Sequence, residues 1–158
     1  MNASLICHPD TASSLKGIHV RVEPGLTVTF TVDGQMLVPA PAARPRFADG
    51  LWQHTCFEVF VARPGMPGYQ EFNFSPSGEW AAYEFDGYRS GMSRLELKPR
   101  SVFDGGMRVT IPLRPGAMRL ALSAVIEEAG GRLSYWALRH APGKPDFHHP
   151  DAFALALA

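Results

Sequence analysis

Short apolar runs broken by turn residues constrain this chain more than any other feature of its sequence. Fourteen prolines and fifteen glycines are spread through its 158 residues, and the segments between them are rich in Val, Ile, Leu, Phe, Tyr and Thr. No segment keeps helical periodicity for more than about a dozen residues, and β-branched and aromatic residues favour strands. We therefore predict an all-β protein.

The predicted strands are the runs between these turn residues. They cover residues 4–8, 18–23, 26–32, 55–62, 69–75, 79–85, 93–98, 107–113, 119–128, 132–140 and 152–158. About ten antiparallel strands at this spacing, joined by hairpin turns, indicate a β-sandwich or a barrel. Residues 38–50, VPAPAARPRFADG, form a long Pro/Ala loop. Its length suits either a flap at the rim of a site or a mobile connector.

Length and charge narrow the classes of function. A chain of 158 residues fits one domain, so we predict a single domain over residues 1–158. Lys plus Arg and Asp plus Glu each number 15, so no basic field attracts nucleic acid or an anionic membrane. No run approaches the ~20 apolar residues that span a bilayer, and no signal-peptide pattern is present. We expect a soluble, cytoplasmic protein, and the sequence does not indicate its oligomeric state.

The two cysteines, Cys7 and Cys56, bear on the redox environment of the chain. They follow neither a metal-ligand spacing nor the dense pattern of a secreted, disulfide-rich domain. We therefore expect reduced, buried thiols and no disulfide bridge.

Two neighbouring strands carry acids among their aromatic residues. They are TCFEVFVA, residues 55–62, and YQEFNFS, residues 69–75. Side chains alternate across a strand. Burying Phe57 of the first strand on the same side as Phe72 and Phe74 of the second therefore puts their polar residues together on the other side, namely Glu58, Glu71 and Asn73.

The register of this hairpin sets which residues meet. If Ala62 pairs with Tyr69, counting back along both strands places Glu58 directly opposite Asn73. The shared face of the acids does not depend on that pairing, because alternation alone fixes it.

The turn SPSG decides which aromatic ring joins the acids. A two-residue turn would put Trp80 beside Asn73. A three-residue turn with a glycine bulge would send Trp80 into the core and bring Tyr83 to the acid side. Pro76 and Gly78 suit a tight turn of either length. The turn leaves both geometries open, and we expect Trp80 to be the aromatic platform.

Carboxylates, an amide and an aromatic ring on one sheet face suit the binding of a saccharide or polyol. Carboxylate and amide groups exchange hydrogen bonds with hydroxyls, and a flat ring packs on apolar C–H faces. This face would then be the floor of a ligand groove. Alternatively, the acids are solvated, or paired with Arg89, Arg94 or Arg139, on an exposed sheet face. Phe60 and Tyr69 beside the acids favour a covered or ligand-binding face.

Longer segments of the chain resemble a known family. LWQHTCFEVFVA followed by YQEFNFSPSGEWAAYEFDGYRSGM, and the later ALRHAPGKPDFHHPDAFALAL, are similar to the bacterial DOMON-like proteins related to the family 9 carbohydrate-binding modules. This resemblance covers nearly the whole chain. It implies a jelly-roll β-sandwich whose concave sheet binds a ligand, a sugar in the carbohydrate-binding branch and haem in some DOMON domains. By position, it implies a groove lined by Trp52, Glu58, Glu71, Asn73 and Trp80. His54 and Thr55 stand where these relatives often have an acidic pair.

The loop RHAPGKPDFHHPDAF concentrates histidines among prolines. His140, Asp146 and His148 fit three alternatives: a metal or haem site, the rim of a ligand site, or hydrogen bonds to the backbone of a rigid loop. No fixed ligand spacing supports a metal, so we expect no cofactor and keep haem or a metal ion as the alternative. Arg89, in the turn FDGYRSG, either clamps an anionic group or pairs with an acid.

A glycosidase-like reaction is a further alternative. Glu58 and Glu71 share a face, which permits the carboxyl separations of roughly 5 Å or 6.5 to 9.5 Å that glycosidases use. The sequence has no serine nucleophile elbow, phosphate-binding glycine loop or zinc motif. We predict a non-catalytic domain that binds a saccharide. Its predicted site residues are Trp52, His54, Glu58, Glu71, Asn73, Trp80, Tyr83, Arg89, His140, Asp146 and His148.

Overall fold

The computed structural model describes residues 1–158 and is built almost entirely from β-strands. The strands are β1 (Asn2–Cys7), β2 (Gly17–Glu23), β3 (Thr27–Asp33), β4 (Cys56–Ala62), β5 (Tyr69–Phe74), β6 (Trp80–Phe85), β7 (Ser93–Arg94), β8 (Arg100–Phe103), β9 (Met107–Thr110), β10 (Met118–Glu128), β11 (Arg132–Ala137) and β12 (Leu155–Leu157). Two short 3₁₀ helices cover Leu51–Gln53 and Pro150–Ala152. Neither has the length and apolar character that crossing a membrane requires.

The strands form one antiparallel sheet that curls into a half-barrel. Its hydrogen-bonded order is β7-β6-β5-β4-β10-β11-β1-β2-β3-β9-β8, and β12 pairs with β10 beside this path. Strand β1 joins the two halves, because its C-terminal end pairs with β11 and its earlier residues pair with β2. The prediction of an all-β, antiparallel fold is confirmed. The division into the separate sheets of a jelly-roll sandwich is not confirmed, because this strand makes the sheet continuous.

The strand number is higher than predicted. We predicted about ten strands, and the sheet contains twelve. The strand missing from the prediction is β8, whose four residues RSVF follow Pro99 and pair with β9. A run of four residues is too short for alternation to identify.

The main core lies between the two halves of the curled sheet and contains 24 buried residues. Phe57 of β4 contacts Phe30 of β3 across this layer, with ring centroids 5.2 Å apart. Phe57, Phe72 and Phe74 are fully buried, as predicted, because alternate side chains of β4 and β5 point into the core. Removal of this apolar area from water is the dominant favourable term in folding.

A second apolar cluster lies on the opposite face of β4, β5, β6, β10 and β11. Phe60 and Phe85 contribute to it from the sheet, and Phe147 and Phe153 contribute from the C-terminal segment. We call residues 141–153 the C-terminal cover, because this segment packs on the sheet and buries that face.

Both cysteines are free thiols, as expected. Cys56 is fully buried at the start of β4, whereas Cys7 at the end of β1 is only partly buried. The expectation of buried thiols is therefore correct for Cys56 alone.

Candidate functional site

The hairpin of β4 and β5 places the acids on one face of the sheet. Ala62 pairs with Tyr69, so Glu58 lies directly opposite Asn73, as predicted. Glu71 pairs with Phe60, one step further along the same face. We call this side of β4, β5 and β6, with Glu58, Glu71 and Asn73, the acid face.

Tyr83 lies on the acid face, and the expectation that Trp80 lies there is wrong. Phe74 pairs with Trp80 across β5 and β6, and Glu71 pairs with Tyr83. Paired residues share a face, so the Trp80 ring follows Phe74 into the main core. The physical reason is the turn length, because residues 75–79 form a loop longer than the two-residue turn that would have brought Trp80 to the acids.

The polar groups of the acid face bind one another. Asn73 Nδ2 donates a hydrogen bond to Glu71 Oε1 at 2.9 Å. Ser123, on β10, donates from Oγ to Glu58 Oε2 at 3.3 Å. Asn73 Oδ1 is buried and has no hydrogen-bond partner. One strong acceptor therefore stays unsatisfied at the centre of the acid face.

The acid face is covered, and the predicted open groove is not present. Glu58 is 3 % exposed, Glu71 is 6 % exposed and Asn73 is 1 % exposed. Phe147 and Phe153 of the C-terminal cover pack over the same side of the sheet. Strand alternation identifies the face of a side chain but carries no information on a distant segment that later lies over it, which is why the sequence suggested a groove.

The alternative of a solvated or ion-paired sheet face is also wrong. The buried carboxyls of Glu58 and Glu71 form no salt bridge with an arginine. Arg94 instead lies 3.8 Å from the centre of the Phe47 ring, and Arg89 pairs with Asp146 at 2.8 Å. The long loop of residues 38–50 packs at the edge of β6, where Phe47 forms a β-bridge with Trp80.

Burial changes the protonation of the acids. It raises the pKa of Glu58 well above the ordinary value, and the neighbouring Glu71 adds to this shift. Burial also raises the pKa of Glu71, against the opposing effects of the Asn73 hydrogen bond and the Arg89 charge. The buried Cys56 thiol on the same side has its pKa raised well above its usual range, first by burial and then by Glu58. The acid face therefore favours uncharged groups, because an unpaired charge out of water is costly.

His148 of the C-terminal cover is the imidazole nearest to the acids, with Nε2 3.7 Å from Glu71 Oε2. Burial, assisted by the Arg89 charge, lowers the pKa of His148 to about 4. The Tyr69 hydroxyl accepts the Arg89 backbone N–H at 3.2 Å and lies 2.7 Å from His148 Nδ1. The Tyr69 hydroxyl and His148 Nδ1 thus share one hydrogen bond, whose donor is set by the tautomer of the imidazole.

Asp146 fastens the C-terminal cover to the turn after β6. It accepts hydrogen bonds from the Arg89 guanidinium at 2.8 Å and from the Tyr88 hydroxyl. Burial acts to raise the pKa of Asp146, but these hydrogen bonds and the Arg89 charge bring it below its ordinary value. Asp146 is thus an anion held by a cation at the rim, and Arg89 pairs with an acid of its own chain.

Three predicted residues lie away from the acids. The Trp52 ring is 53 % exposed. His54 forms an exposed pair with Glu127 at 2.8 Å. His140 donates from Nε2 to the Ile6 carbonyl at 2.6 Å. The structure therefore gathers Glu58, Glu71, Asn73, Tyr83, Arg89, Asp146 and His148, and it leaves Trp52, His54, Trp80 and His140 outside this group.

The loop residues do not form a ligand set for a metal. No group of three His, Cys, Asp or Glu side chains is placed to hold a metal ion. His140 and His148 are each engaged with another group, the Ile6 carbonyl and the Tyr69 hydroxyl. Backbone and side-chain hydrogen bonding within the chain accounts for both imidazoles.

Sequence reasoning missed two partners of the site, Asp49 and Ser123. The Tyr83 hydroxyl donates to Asp49, which lies in the loop before β4. Ser123 is the polar residue in an otherwise apolar stretch of β10, and this interruption was the available signal. Its use would have required the pairing of β10 with β4, which joins strands far apart in the sequence.

Two surface hollows lie elsewhere on the molecule. One, of about 410 Å³, opens on the outer side of β1, β2 and β3 beside Ser4 and His19. The other, of about 270 Å³, lies at the end of β5 and β6 beside Gln70 and Glu84. Glu58, Glu71 and Asn73 line neither hollow.

Comparison with known proteins supports the fold. No family model and no curated protein matches this sequence. The crystal structure of a putative carbohydrate-binding protein from Bacteroides uniformis ATCC 8492 is similar, with a TM-score of 0.71 and 16 % sequence identity. The match covers 95 % of this chain and 82 % of that chain. At this identity the likeness establishes a shared fold, and it does not single out DOMON-like proteins or family 9 modules.

Proposed function

We propose that this chain is a non-catalytic binding domain for a small saccharide or polyol, with its site on the acid face beneath the C-terminal cover. The observation that carries the proposal is the burial of Glu58, Glu71 and Asn73 side by side. Burying carboxyls and amides costs free energy unless they find partners, and Asn73 Oδ1 has none. Such costly, perturbed clusters concentrate at functional sites.

The chemistry of the acid face suits hydroxyl groups. Uncharged carboxyls both donate and accept hydrogen bonds, and an amide oxygen accepts them. A sugar hydroxyl would supply the donor that Asn73 Oδ1 lacks. The Tyr83 ring, opposite Glu71, offers an apolar surface of the kind that packs on sugar C–H groups.

Access to the acid face requires movement of the C-terminal cover. The rim of the cover is held by polar contacts, which exchange with water more readily than a close-packed core does. Asp146 binds Arg89, and the Arg119 guanidinium donates to the Phe153 carbonyl at 3.0 and 2.7 Å. Segments that close over a ligand are common in binding and catalytic sites.

The shared fold with a putative carbohydrate-binding protein is compatible with this function. Fold alone does not specify a ligand, so the ligand class is inferred from the buried polar groups. A glycosidase reaction has weaker support, because it requires one ionised carboxylate as nucleophile or base, whereas the pKa values of Glu58 and Glu71 are both raised.

A glycan array followed by calorimetry tests the proposal. Asn73→Ala removes the unpaired amide oxygen, and Gln70→Ala is the matched control on the same strand, since Gln70 projects to the opposite face. We expect Asn73→Ala to weaken binding of the best glycan at least about tenfold, the value of one or two buried hydrogen bonds. Gln70→Ala should bind like the unmodified protein. Circular dichroism checks that both variants are folded.

Two results would overturn the proposal. Absence of glycan binding by the unmodified protein would remove the saccharide. A loss of binding in Gln70→Ala with full binding in Asn73→Ala would move the site to the hollow beside Gln70 and Glu84.

A further inference from the structure

Apart from the protons of the carboxyls themselves, the side-chain donors of the acid face are already used within the protein. Asn73 Nδ2 donates to Glu71, and the Ser123 hydroxyl donates to Glu58. The Tyr83 hydroxyl donates to Asp49. What remains is acceptor capacity: the unpaired Asn73 Oδ1 and the free lone pairs of the carboxyls.

Carboxyl groups also outnumber cations around the acid face. Four carboxyls surround it, those of Asp49, Glu58, Glu71 and Asp146. Arg89 is the cation that acts on this group, and it is bound to Asp146 at 2.8 Å. His148 faces Glu71 as a neutral imidazole. The other ionisable groups on this side, Cys56, Tyr69 and Tyr83, are neutral in their ordinary forms and add no positive charge.

We propose that the acid face takes a ligand that carries a primary ammonium group on a polyol, with an amino sugar as the simplest form. An ammonium group brings three N–H donors and one positive charge, which are the two properties that this site lacks. The inference rests on the proposed function and specifies its ligand class.

The fit has three parts. Asn73 Oδ1 accepts one N–H, and an oxygen of Glu71, which the Asn73 amide already contacts, accepts another. The positive charge favours the ionised form of the carboxyl that it contacts. The hydroxyls of the sugar occupy the remaining lone pairs. A neutral sugar fills only the hydrogen-bonding part of this requirement.

Binding of an ammonium ligand therefore releases a proton. A carboxyl that is protonated in the free protein becomes a carboxylate beside the ammonium, and its proton passes to the buffer. The ligand keeps its charge, and no covalent bond forms. Burial raises the pKa of both acids and so favours the protonated carboxyl in the free protein, and the release is specific to a cationic ligand.

Calorimetry with D-glucosamine, D-glucose and N-acetyl-D-glucosamine tests the inference. Each sugar is titrated at neutral pH into the full chain in two buffers that differ in ionisation enthalpy. We expect D-glucosamine to bind at least about tenfold more tightly than the two neutral sugars. Its apparent enthalpy should depend on the buffer, and that of a neutral sugar should not.

A pair of variants keeps the test independent of folding defects. Glu71→Gln preserves size and hydrogen bonding but cannot ionise, so it should lose the preference for D-glucosamine and the proton release. Glu84→Gln changes an exposed acid on the opposite face of β6, and it should keep both properties.

The outcomes separate this inference from the proposed function. If neutral sugars bind as tightly as D-glucosamine, with Asn73-dependent affinity and no proton release, the ammonium inference is wrong and saccharide binding stands. If D-glucosamine binds with proton release that Glu71→Gln retains, the charged partner lies elsewhere and the inference is also wrong. If no sugar binds, both fail.

Discussion

Asn73 donates from its side-chain Nδ2 to Glu71 Oε1, 2.9 Å away and two residues earlier on the same strand, while its own Oδ1 has no partner. The two residues share a face because they are separated by one alternation of β5. An amide that satisfies an acid but is itself unsatisfied is a costly arrangement in a covered layer.

The buried acids should make the protein less stable as the pH rises. Folding raises the pKa of Glu58 and Glu71 above 4.5, their ordinary value. The folded state therefore holds protons that the unfolded state has released. Stability is fully present below about pH 4.5 and is lost as the pH rises through the folded values, and the two coupled acids titrate as a pair.

Glu58→Gln tests this dependence, since glutamine carries no titrating proton. Urea unfolding midpoints are measured from mildly acid pH up to a pH below 9.0, the ordinary pKa of the Cys56 thiol. As the pH rises, the midpoint of Glu58→Gln should fall less steeply than that of the unmodified protein. Glu84→Gln should keep the original slope. Equal slopes in Glu58→Gln and the unmodified protein would mean that Glu58 does not hold its proton on folding.

Glu128 should act in the opposite direction. It accepts hydrogen bonds from the backbone N–H and hydroxyl of Ser14 and from Arg132. Burial acts to raise the pKa of Glu128, but these bonds bring it down to about 2. Its contribution is present above pH 4.5 and is lost as the pH falls towards 2.

Glu128→Gln should lower the free energy of unfolding by about 1 to 3 kcal/mol at neutral pH, the usual cost of weakening hydrogen bonds to a charged group. The difference should shrink on acidification. Glu96→Gln is the control. The Glu96 side chain is 89 % exposed and its ion pair with Arg94 is long, at 3.9 Å, and such exposed pairs contribute little to stability. A constant difference at every pH would contradict the assignment.

Trp80 and Trp52 should differ in their effect on stability. Trp80 lies in the main core, with its ring 5.6 Å from that of Phe47. Trp80→Ala should cost about 3 to 5 kcal/mol in urea unfolding. Trp52 is 53 % exposed, so Trp52→Ala should stay within about 0.5 kcal/mol of the unmodified protein. Similar costs for both variants would contradict the placement of Trp80 in the core.

The contacts of Asp146 should keep the C-terminal cover closed. Asp146→Ala removes hydrogen bonds to Arg89 and Tyr88, which are exposed and together worth about 1 to 2 kcal/mol after solvent screening. The backbone amides of Ala152 and Phe153, which donate within the cover, should then exchange with deuterium at least about tenfold faster.

The control for the cover is Asp151→Ala. Asp151 is 58 % exposed and lies 3.7 Å from His149 Nδ1, so its loss should leave these amides protected. If Asp146→Ala also exchanges at the original rate, apolar packing alone closes the cover.

Local periodicity was sufficient to predict much of the sheet. Alternation in β4 and β5 placed Phe57, Phe72 and Phe74 in the core. It also put Glu58 opposite Asn73, because both features depend on neighbouring residues in one hairpin. The side of Trp80 depended on the length of a turn, which SPSG does not determine. The sequence indicated a tight turn after β5, and the structure was needed to show that the Trp80 ring lies on the core side of β6.

The remaining features depend on contacts between segments that are distant in sequence. The pairing that brings Ser123 to Glu58 joins β10 to β4. The cover places Phe147 and Phe153 over the acids. The alternation of residues along one strand does not reveal that a distant segment packs on it. The curl of the sheet through β1 has the same origin, since each edge of that strand pairs with a different half.

The most direct test of the binding site is the NMR signal of the Asn73 side-chain amide group during titration with the best glycan from the array. The account predicts that this signal shifts in a saturable manner, while that of Gln70, on the opposite face of the same strand, stays in place. A shift of Gln70 with no change at Asn73 under saturating glycan would contradict it.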